Sequence, residues 1–445
     1  MNTPIADFVR GYEKQNITRL HMPGHKGRAF VGCEGYDITE VAGADSLYEA
    51  DGIIAESEAN ATKLFGTART VYSTEGSSQC IRAMLYLAMV NHKGEEKPVV
   101  VATRNAHKAF LYAVAVLDLE VVWIWPEESA HSLCSCPITS KNVEEVLAKM
   151  DEPPIAVYVT SPDYLGGQLD IQGIAEVCHR QGTVLAVDNA HGAYLHFLNP
   201  SQHPIDLGAD ICCDSAHKTL STLTGGAYLH IGKSAPKNFV QQAKQAMALF
   251  GSTSPSYLIL MSLDLCNSYL AEEYRDTLTQ TIDKLDLLKA RLRDNGWQIV
   301  DTEPLKFTVR MPKGLSGIQK AEMLRKHNVE CEYADAEHIV CMFTTENSDE
   351  DYERTIHAFG ENREIYEKQT ELQISNCIRA ISIREAMFAQ QETISVKDAM
   401  GRICGTPAVS CPPAIPIVVA GEVIDEDAMN IFDYYGIKSV DVVKE

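Results

Sequence analysis

"GADICCDSAHKTL", residues 208–220, runs from an apolar strand-like segment directly into a histidine and a lysine. A lysine at the inner end of a buried strand is costly unless something neutralises or uses it. The strand part, "ADICCDS" (209–215), is the last of a series of short apolar runs. Before it come "PVVVAT" (98–103), "VVWIW" (121–125), "IAVYVT" (155–160) and "VLAVDNA" (184–190). Helical spacing precedes and separates them in "CIRAMLYLAMV" (80–90), "AHKAFLYAVAVL" (106–117), residues 141–150 and "IQGIAEVCHRQG" (171–182). Strands alternating with helices predict an α/β fold, a mostly parallel sheet with helices on both faces. Ligands of such sheets gather at the carboxyl ends of the strands, and Lys218 lies at one such end.

The 445 residues are 45% hydrophobic and 22% charged, enough for two or three domains. A formal net charge of −22 argues against nucleic acid or an anionic membrane as partner. The opening "MNTPIADFVRGYEK" has no signal-type apolar run, and the longest apolar tract (109–125) is broken by Asp118 and Glu120. Thirteen cysteines form no CxxC pair. That odd number fits reduced thiols and a cytoplasmic protein.

Residues 254–297 read as one long helical stretch, stopped by Asn295-Gly296. Beyond it, "QIVDTEPLKFTVRM", "IQKAEMLRKHN", "VECEY" and "HIVCMFT" read strand–helix–strand–strand, a small α+β domain. The tail holds "ISIREAMFAQ" and an extended, ordered Pro-rich segment "SCPPAIPIVVAGE" (410–422). The expected divisions are an arm (1–50), a large domain (51–290), a small domain (291–370) and a C-terminal segment (371–445).

Chemistry concentrates at strand ends and helix starts. "TEGSSQC" (74–80) places Gly76, Ser77 and Ser78 at the mouth of a helix, where backbone N–H groups and hydroxyls can cradle phosphate or simply cap the helix. His107 in "TRNAHKA" starts the next helix, the usual place for a cap or core residue. Asp188 ends an apolar strand, with His191 close behind, and needs a cation to offset burial. No GxxxxGK[ST] exists, which excludes a P-loop ATPase. A phosphate cradle, an imidazole, a buried carboxylate and a strand-end lysine on one sheet are together the parts that pyridoxal 5′-phosphate requires.

The stretches "LHMPGHKG" (20–27), "EGSSQ", "RNAHKA", "TSPDYLG" (160–166), "VDNAHGA", "DSAHKTL", "TSPSYLILMSLD" (253–264), "REAMFA" (384–389) and "CPPAIPIVVAGE" span nearly the whole chain. In them the sequence resembles the short, wing-less form of the Orn/Lys/Arg decarboxylase family. The resemblance implies an aspartate-aminotransferase-like fold and pyridoxal-phosphate-dependent decarboxylation of lysine, arginine or ornithine to CO2 and a di- or polyamine. By position, Lys218 resembles the Schiff-base lysine, Asp188 the pyridinium partner, His107 the ring-stacking imidazole and His191 its pocket neighbour. Ser77, Ser78, Ser215 and His217 would hold the phosphate. Thr253 and Ser254 would reach the partner's cofactor in a homodimer or dimer of dimers. No metal is expected.

Several positions depart from the family pattern. Asp163 stands where Thr is common, Asn189 replaces the Glu of Glu-Ala-His, Tyr194 replaces a second His, and "LTGG" (223–226) replaces Leu-Thr-Gln. Asp163 is either an anchor for a cationic substrate tail or a solvated loop acid, and Glu332 and Glu422 invite the same pair of readings, the solvated one favoured. Two rival functions are an aminotransferase or lyase on the same cofactor, with Arg384 holding the substrate carboxylate, and metal binding by His21 and His25. Pro23 and Gly24 forbid a continuous helix between those histidines.

Overall fold

The strand–helix alternation is realised as one seven-stranded sheet in a computed structural model, which describes residues 1–94, 96–126, 132–367, 377–409 and 415–444. The strands are β1 (Arg69–Ser73), β2 (Val99–Thr103), β3 (Glu120–Ile124), β4 (Ala156–Thr160), β5 (Leu185–Asp188), β6 (Ile211–Asp214) and β7 (Ala227–Ile231). Their order is β1-β7-β6-β5-β4-β2-β3. β2 pairs with β3, and β5 with β6, in parallel; β7 runs antiparallel to both β1 and β6. Every residue of β5 and β6 is buried, which is why both read as unbroken apolar runs up to their terminal aspartates. β1 and β7 give a weaker signal because they carry buried polar side chains. Thr70 on β1 and His230 on β7 satisfy each other, with Oγ1 2.9 Å from Nδ1.

The chain divides into two compact units. One comprises Met1–Lys93, Ile155–Val157 and Ile171–Thr277, the other Gly94–Pro154, Tyr158–Asp170 and Leu278–Glu445. In the first, the N-terminal helix Pro4–Lys14 lacks a side-chain cap of its own. Asp264, on the helix Tyr257–Glu272, supplies one by accepting from the N–H of Ala6 at 3.0 Å. Burial pushes the Asp264 carboxyl up to about 6. In the PGHKG stretch, His25 accepts from the N–H of Gly27 (3.0 Å) and faces Asp37 (3.1 Å), while His21 Nε2 meets the Tyr12 hydroxyl (2.7 Å). Local partners therefore occupy both imidazoles, and the metal-binding alternative loses its ligands.

The long helical stretch is two helices, Tyr257–Glu272 and Tyr274–Asp294, separated at Glu273. In the second unit, β8 (Gln298–Val300), β9 (Lys306–Arg310), β10 (Tyr333–Ala334) and β11 (His338–Met342) form an antiparallel sheet ordered β10-β11-β9-β8. The first strand-like stretch after the helices is thus two strands. Leu288, Leu292, Trp297, Phe307, Leu324 and Ile339 are core residues of this sheet and its helices. Further on come the helix Ile383–Phe388, β12 (Gln391–Ser395), β13 (Ala408–Val409), β14 (Val418–Val419), the helix Glu426–Tyr434 and β15 (Ser439–Val443). β12 pairs with β15 and β13 with β14. Of the Pro-rich segment, residues 410–414 lie outside the described residues.

Lys320 is a buried cation in this unit. Its Nζ donates to the carbonyls of Ala358 (3.2 Å) and Phe359 (3.0 Å), which end the helix Asp349–Phe359, and lies over the Trp297 ring. Desolvation pushes Lys320 down to about 8. The folded state therefore binds fewer protons at this site than the unfolded chain between about pH 8 and the ordinary lysine value, and its stability rises with pH through that window. Lys320→Met removes this dependence. The unfolding midpoint of the native protein relative to Lys320→Met is expected to rise between pH 7.5 and 10 in thermal scans. A constant difference would contradict it.

Candidate active site

The first unit brings together most of the residues singled out from sequence. β5 ends on Asp188 and β6 on Asp214, and the chain then turns into the short helix Ala216–Thr219 that carries His217 and Lys218. Lys218 Nζ lies 3.1 Å from His191 Nε2. Asp188 is buried, and its Oδ1 accepts from the N–H of Ala190 (3.2 Å) and the thiol of Cys213 (3.6 Å), its register partner on β6. Burial, and next the Asp188 charge, push the Cys213 thiol far up, so it stays a neutral donor.

The cradle lies at the start of the helix Ser77–Val90. Its cap residue, Gly76, has φ +70° and ψ −177°, a backbone conformation that glycine alone adopts readily, and has no side chain to close the first turn. The first-turn N–H groups have no intrahelical acceptor. Ser77 and Ser215 bring their hydroxyls to 2.8 Å, and Ser78 is the next residue of the turn. "LTGG" holds this cradle in shape: the Gly225 carbonyl accepts from the N–H of Gly76 (2.8 Å), and the Gly226 carbonyl accepts from the N–H (3.1 Å) and Nδ1–H (3.0 Å) of His217. Burial, and further the Lys218 charge, push His217 below its ordinary value, although the Gly226 carbonyl opposes this. The buried hydroxyls of Thr219 and Thr222 have no hydrogen-bond partner among the described residues. An uncapped helix start, paired serines and orphaned hydroxyls beside a lysine fit a phosphate-bearing aldehyde.

Behind this site a fully buried carboxylate joins three strands. Asp214 accepts from Asn189 Nδ2 (2.7 Å) on Oδ1, and from His203 Nε2 (3.0 Å) and His230 Nε2 (3.2 Å) on Oδ2. Burial works against the charge, but the two imidazoles hold Asp214 far below the usual carboxylate range. His203 Nδ1 accepts from the N–H of Ile205 (3.3 Å), and the Thr70 hydroxyl faces His230 Nδ1. Hydrogen bonds link every member of this cluster. The partners of Asp214 had no sequence signal, since they lie on different strands and loops.

His107 belongs to the second unit. It caps the helix Lys108–Leu117, its Nδ1 accepting from the N–H of Ala109 at 3.1 Å, which leaves the proton on Nε2 and fixes the ring. The orphaned Thr103 hydroxyl and Asn105 Oδ1 are buried just before it. Thr253 and Ser254 are exposed on the loop before the helix Tyr257–Glu272.

Three acids and one arginine weighed from sequence as possible substrate contacts have other partners. Asp163 is neither solvated nor open: its carboxylate accepts from Ser135 Oγ (2.7 Å), Gly166 N–H (2.8 Å) and Gly167 N–H (2.7 Å). Glu422 is likewise buried rather than solvated, in a two-pronged pair with Arg104 at 2.7 Å on each arm. Glu332 is exposed and accepts from the Tyr164 hydroxyl (2.7 Å). Arg384 donates to the carbonyls of Ala115 (2.7 Å) and Val116 (3.2 Å), so the aminotransferase alternative loses its carboxylate anchor.

The family model for the Orn/Lys/Arg decarboxylase major domain matches residues 3–310, and that for the C-terminal domain matches 362–440. The chain belongs to the Orn/Lys/Arg decarboxylase family. It is an amino-acid decarboxylase of the pyridoxal-phosphate class, on an aspartate-aminotransferase-like fold. It is 27% identical to an arginine decarboxylase of Bacillus subtilis over 96% of this chain and 92% of that one. It is 28% identical to an arginine decarboxylase of Halalkalibacterium halodurans over 95% of this chain and 91% of that one. Lysine decarboxylase A of Pseudomonas aeruginosa shares the fold, with a TM-score of 0.82 at 16% identity over 99% of this chain and 80% of that one. Among the described residues, no helix is long and apolar enough to cross a membrane.

Asp163 offers a direct check on its loop-stapling role in this decarboxylase. Asp163→Ala strands three donors, and removing such bonds costs roughly 2 kcal/mol or more. The expected result is a lower urea midpoint at unchanged slope, and an unchanged midpoint would show the carboxylate to be dispensable.

Proposed function

We propose that this decarboxylase acts on a basic amino acid, with arginine the first candidate and lysine and ornithine next, releasing CO2 and a di- or polyamine. The observation that carries the reading is Lys218, with Nζ 3.1 Å from His191 and on the turn that follows the strand paired with that of Asp188. Arginine ranks first because relatives matched over nearly their full length are arginine decarboxylases. When bound, pyridoxal 5′-phosphate supplies a sink for the electron pair left at Cα as the carboxylate departs.

The chain's own residues then have distinct tasks. Lys218 is the covalent tether for the aldehyde. Asp188, oriented through Oδ1 by Ala190 and Cys213, keeps the ring nitrogen protonated. The open first turn after Gly76, with Ser77, Ser78, Ser215 and His217, takes the phosphate. His107 offers a flat face whose orientation is already set by its capping bond. His191 and the Lys218 amine, in contact with each other, hold the proton that returns to Cα. Thr253 and Ser254, on an exposed loop, serve the neighbouring copy's cofactor in a homodimer or dimer of dimers. The charge of −22 and the thiol-rich composition support a cytoplasmic setting without nucleic-acid or membrane partners.

The test is CO2 release from arginine, lysine and ornithine with cofactor added, alongside α-keto acid production. Release from arginine above the other two is expected; keto acid without CO2 would overturn the decarboxylase reading, and release from lysine alone the substrate ranking. Lys218→Ala is expected to abolish the visible absorbance of lysine-bound cofactor and to lower turnover by at least about a thousandfold. Asp188→Asn should retain cofactor yet lower turnover about a hundredfold. A native spectrum in the first variant, or near-native turnover in the second, would remove that residue from its role.

A further inference from the structure

We propose that the C-terminal domain is a clamp on the segment Arg104–Leu117, with Glu422 and Arg384 as its two jaws and so as positioning residues for His107. The proposal rests on the pyridoxal-phosphate reading for what His107 does, but the clamp itself is a property of the protein alone. Both jaws lie within residues 362–440, the stretch matched by the C-terminal domain model.

The first jaw grips the start of the segment. Arg104 is completely buried, and its Nη1 and Nη2 reach the two carboxylate oxygens of Glu422, each at 2.7 Å. Glu422 is itself held, because its Oε2 also accepts from the N–H of Val419 at 2.9 Å. The guanidinium lies 5.0 Å from the Trp123 ring centroid and 4.6 Å from that of Trp125. A planar fork meeting a planar carboxylate fixes direction as well as distance, which a lysine could not do. Losing either partner leaves a buried charge uncompensated.

The second jaw grips the end. Arg384 donates to the carbonyls of Ala115 and Val116, in the last turn of the helix Lys108–Leu117. Those carbonyls lack intrahelical partners and carry the negative end of the helix dipole, so a cation there both caps and holds the helix. Between the jaws, the Asn105 carbonyl accepts from Thr160 Oγ1 at 3.3 Å, and His107 is tied to its own helix start. His107 follows Arg104 by three residues. A shift at Arg104 therefore reaches the imidazole with little slack, and displacements of about an ångström matter at a reacting centre.

Glu422→Gln and Arg384→Ala test the clamp in the full-length protein, with and without cofactor. In cofactor-free protein, Glu422→Gln is expected to red-shift tryptophan emission and to speed amide hydrogen exchange across 104–110 by about tenfold. Arg384→Ala, at an exposed side chain, is expected to speed exchange at 112–117 while leaving the rest of the protein protected. Both should weaken cofactor binding, Glu422→Gln by about tenfold and Arg384→Ala by less. Native exchange across 104–117 in both variants would overturn the clamp. Faster exchange with native cofactor affinity would overturn its positioning role. If Glu422→Gln does not fold, Arg104→Lys, which keeps the charge but not the fork, takes its place with the same readouts. Failure of the unmodified protein to bind cofactor would count against the proposed function alone, since the exchange measurement still decides the clamp.

Discussion

The buried carboxylate of Asp214 is the constraint on which the catalytic geometry rests. It ends β6, accepts from Asn189 just past β5 and from His230 on β7, and takes a further bond from His203. One anion thus ties the ends of β5 and β6 to each other and to β7, and those two ends carry the proposed chemistry: Asp188 on β5, and Lys218 on the turn after β6. An isolated charge in such a place would be prohibitive. Here three donors meet its two oxygens, so the charged state persists and the ends of β5 and β6 are held together.

That arrangement explains what was legible in the sequence and what was not. Lys218 and Asp188 stood out because a charge closing an apolar strand is chemically anomalous on its own. The strands themselves stood out because β5 and β6 are buried throughout. Asp214 has the same setting as Asp188, yet its meaning lies in partners 25, 11 and 16 residues away that share no local pattern with it. Arg104 and Glu422 are 318 residues apart, and each alone reads as an ordinary surface charge. The break at Glu273 was hidden because helix-favouring residues continue through it on both sides. Local chemistry announces itself, whereas a bond between distant residues appears only after the chain has folded.

Three of the departures from the family pattern, at Asn189, Gly225 and Asp163, meet the same constraints. Asn189 stands where the family carries glutamate, and its Nδ2 donates to Asp214. An amide there adds a neutral donor to the carboxylate that the two imidazoles keep ionised. Gly225 stands where the family carries glutamine. It has φ +100°, and a Cβ would lie 2.8 Å from the Thr74 carbonyl oxygen, so this backbone path admits no side chain. In exchange, the chain brings the Gly225 carbonyl onto Gly76 and the Gly226 carbonyl onto His217.

Asp163 extends the point to the other unit, where a carboxylate that could have faced a cationic substrate is folded back onto Gly166, Gly167 and Ser135. Each replacement serves a backbone or a buried charge within the protein. The strand ends are therefore held by backbone carbonyls and by the Asp214 network, in which the replacement Asn189 itself takes part. Asp163 and Glu422 are both held by donors within their own unit, whereas Glu332 is exposed and accepts from the Tyr164 hydroxyl.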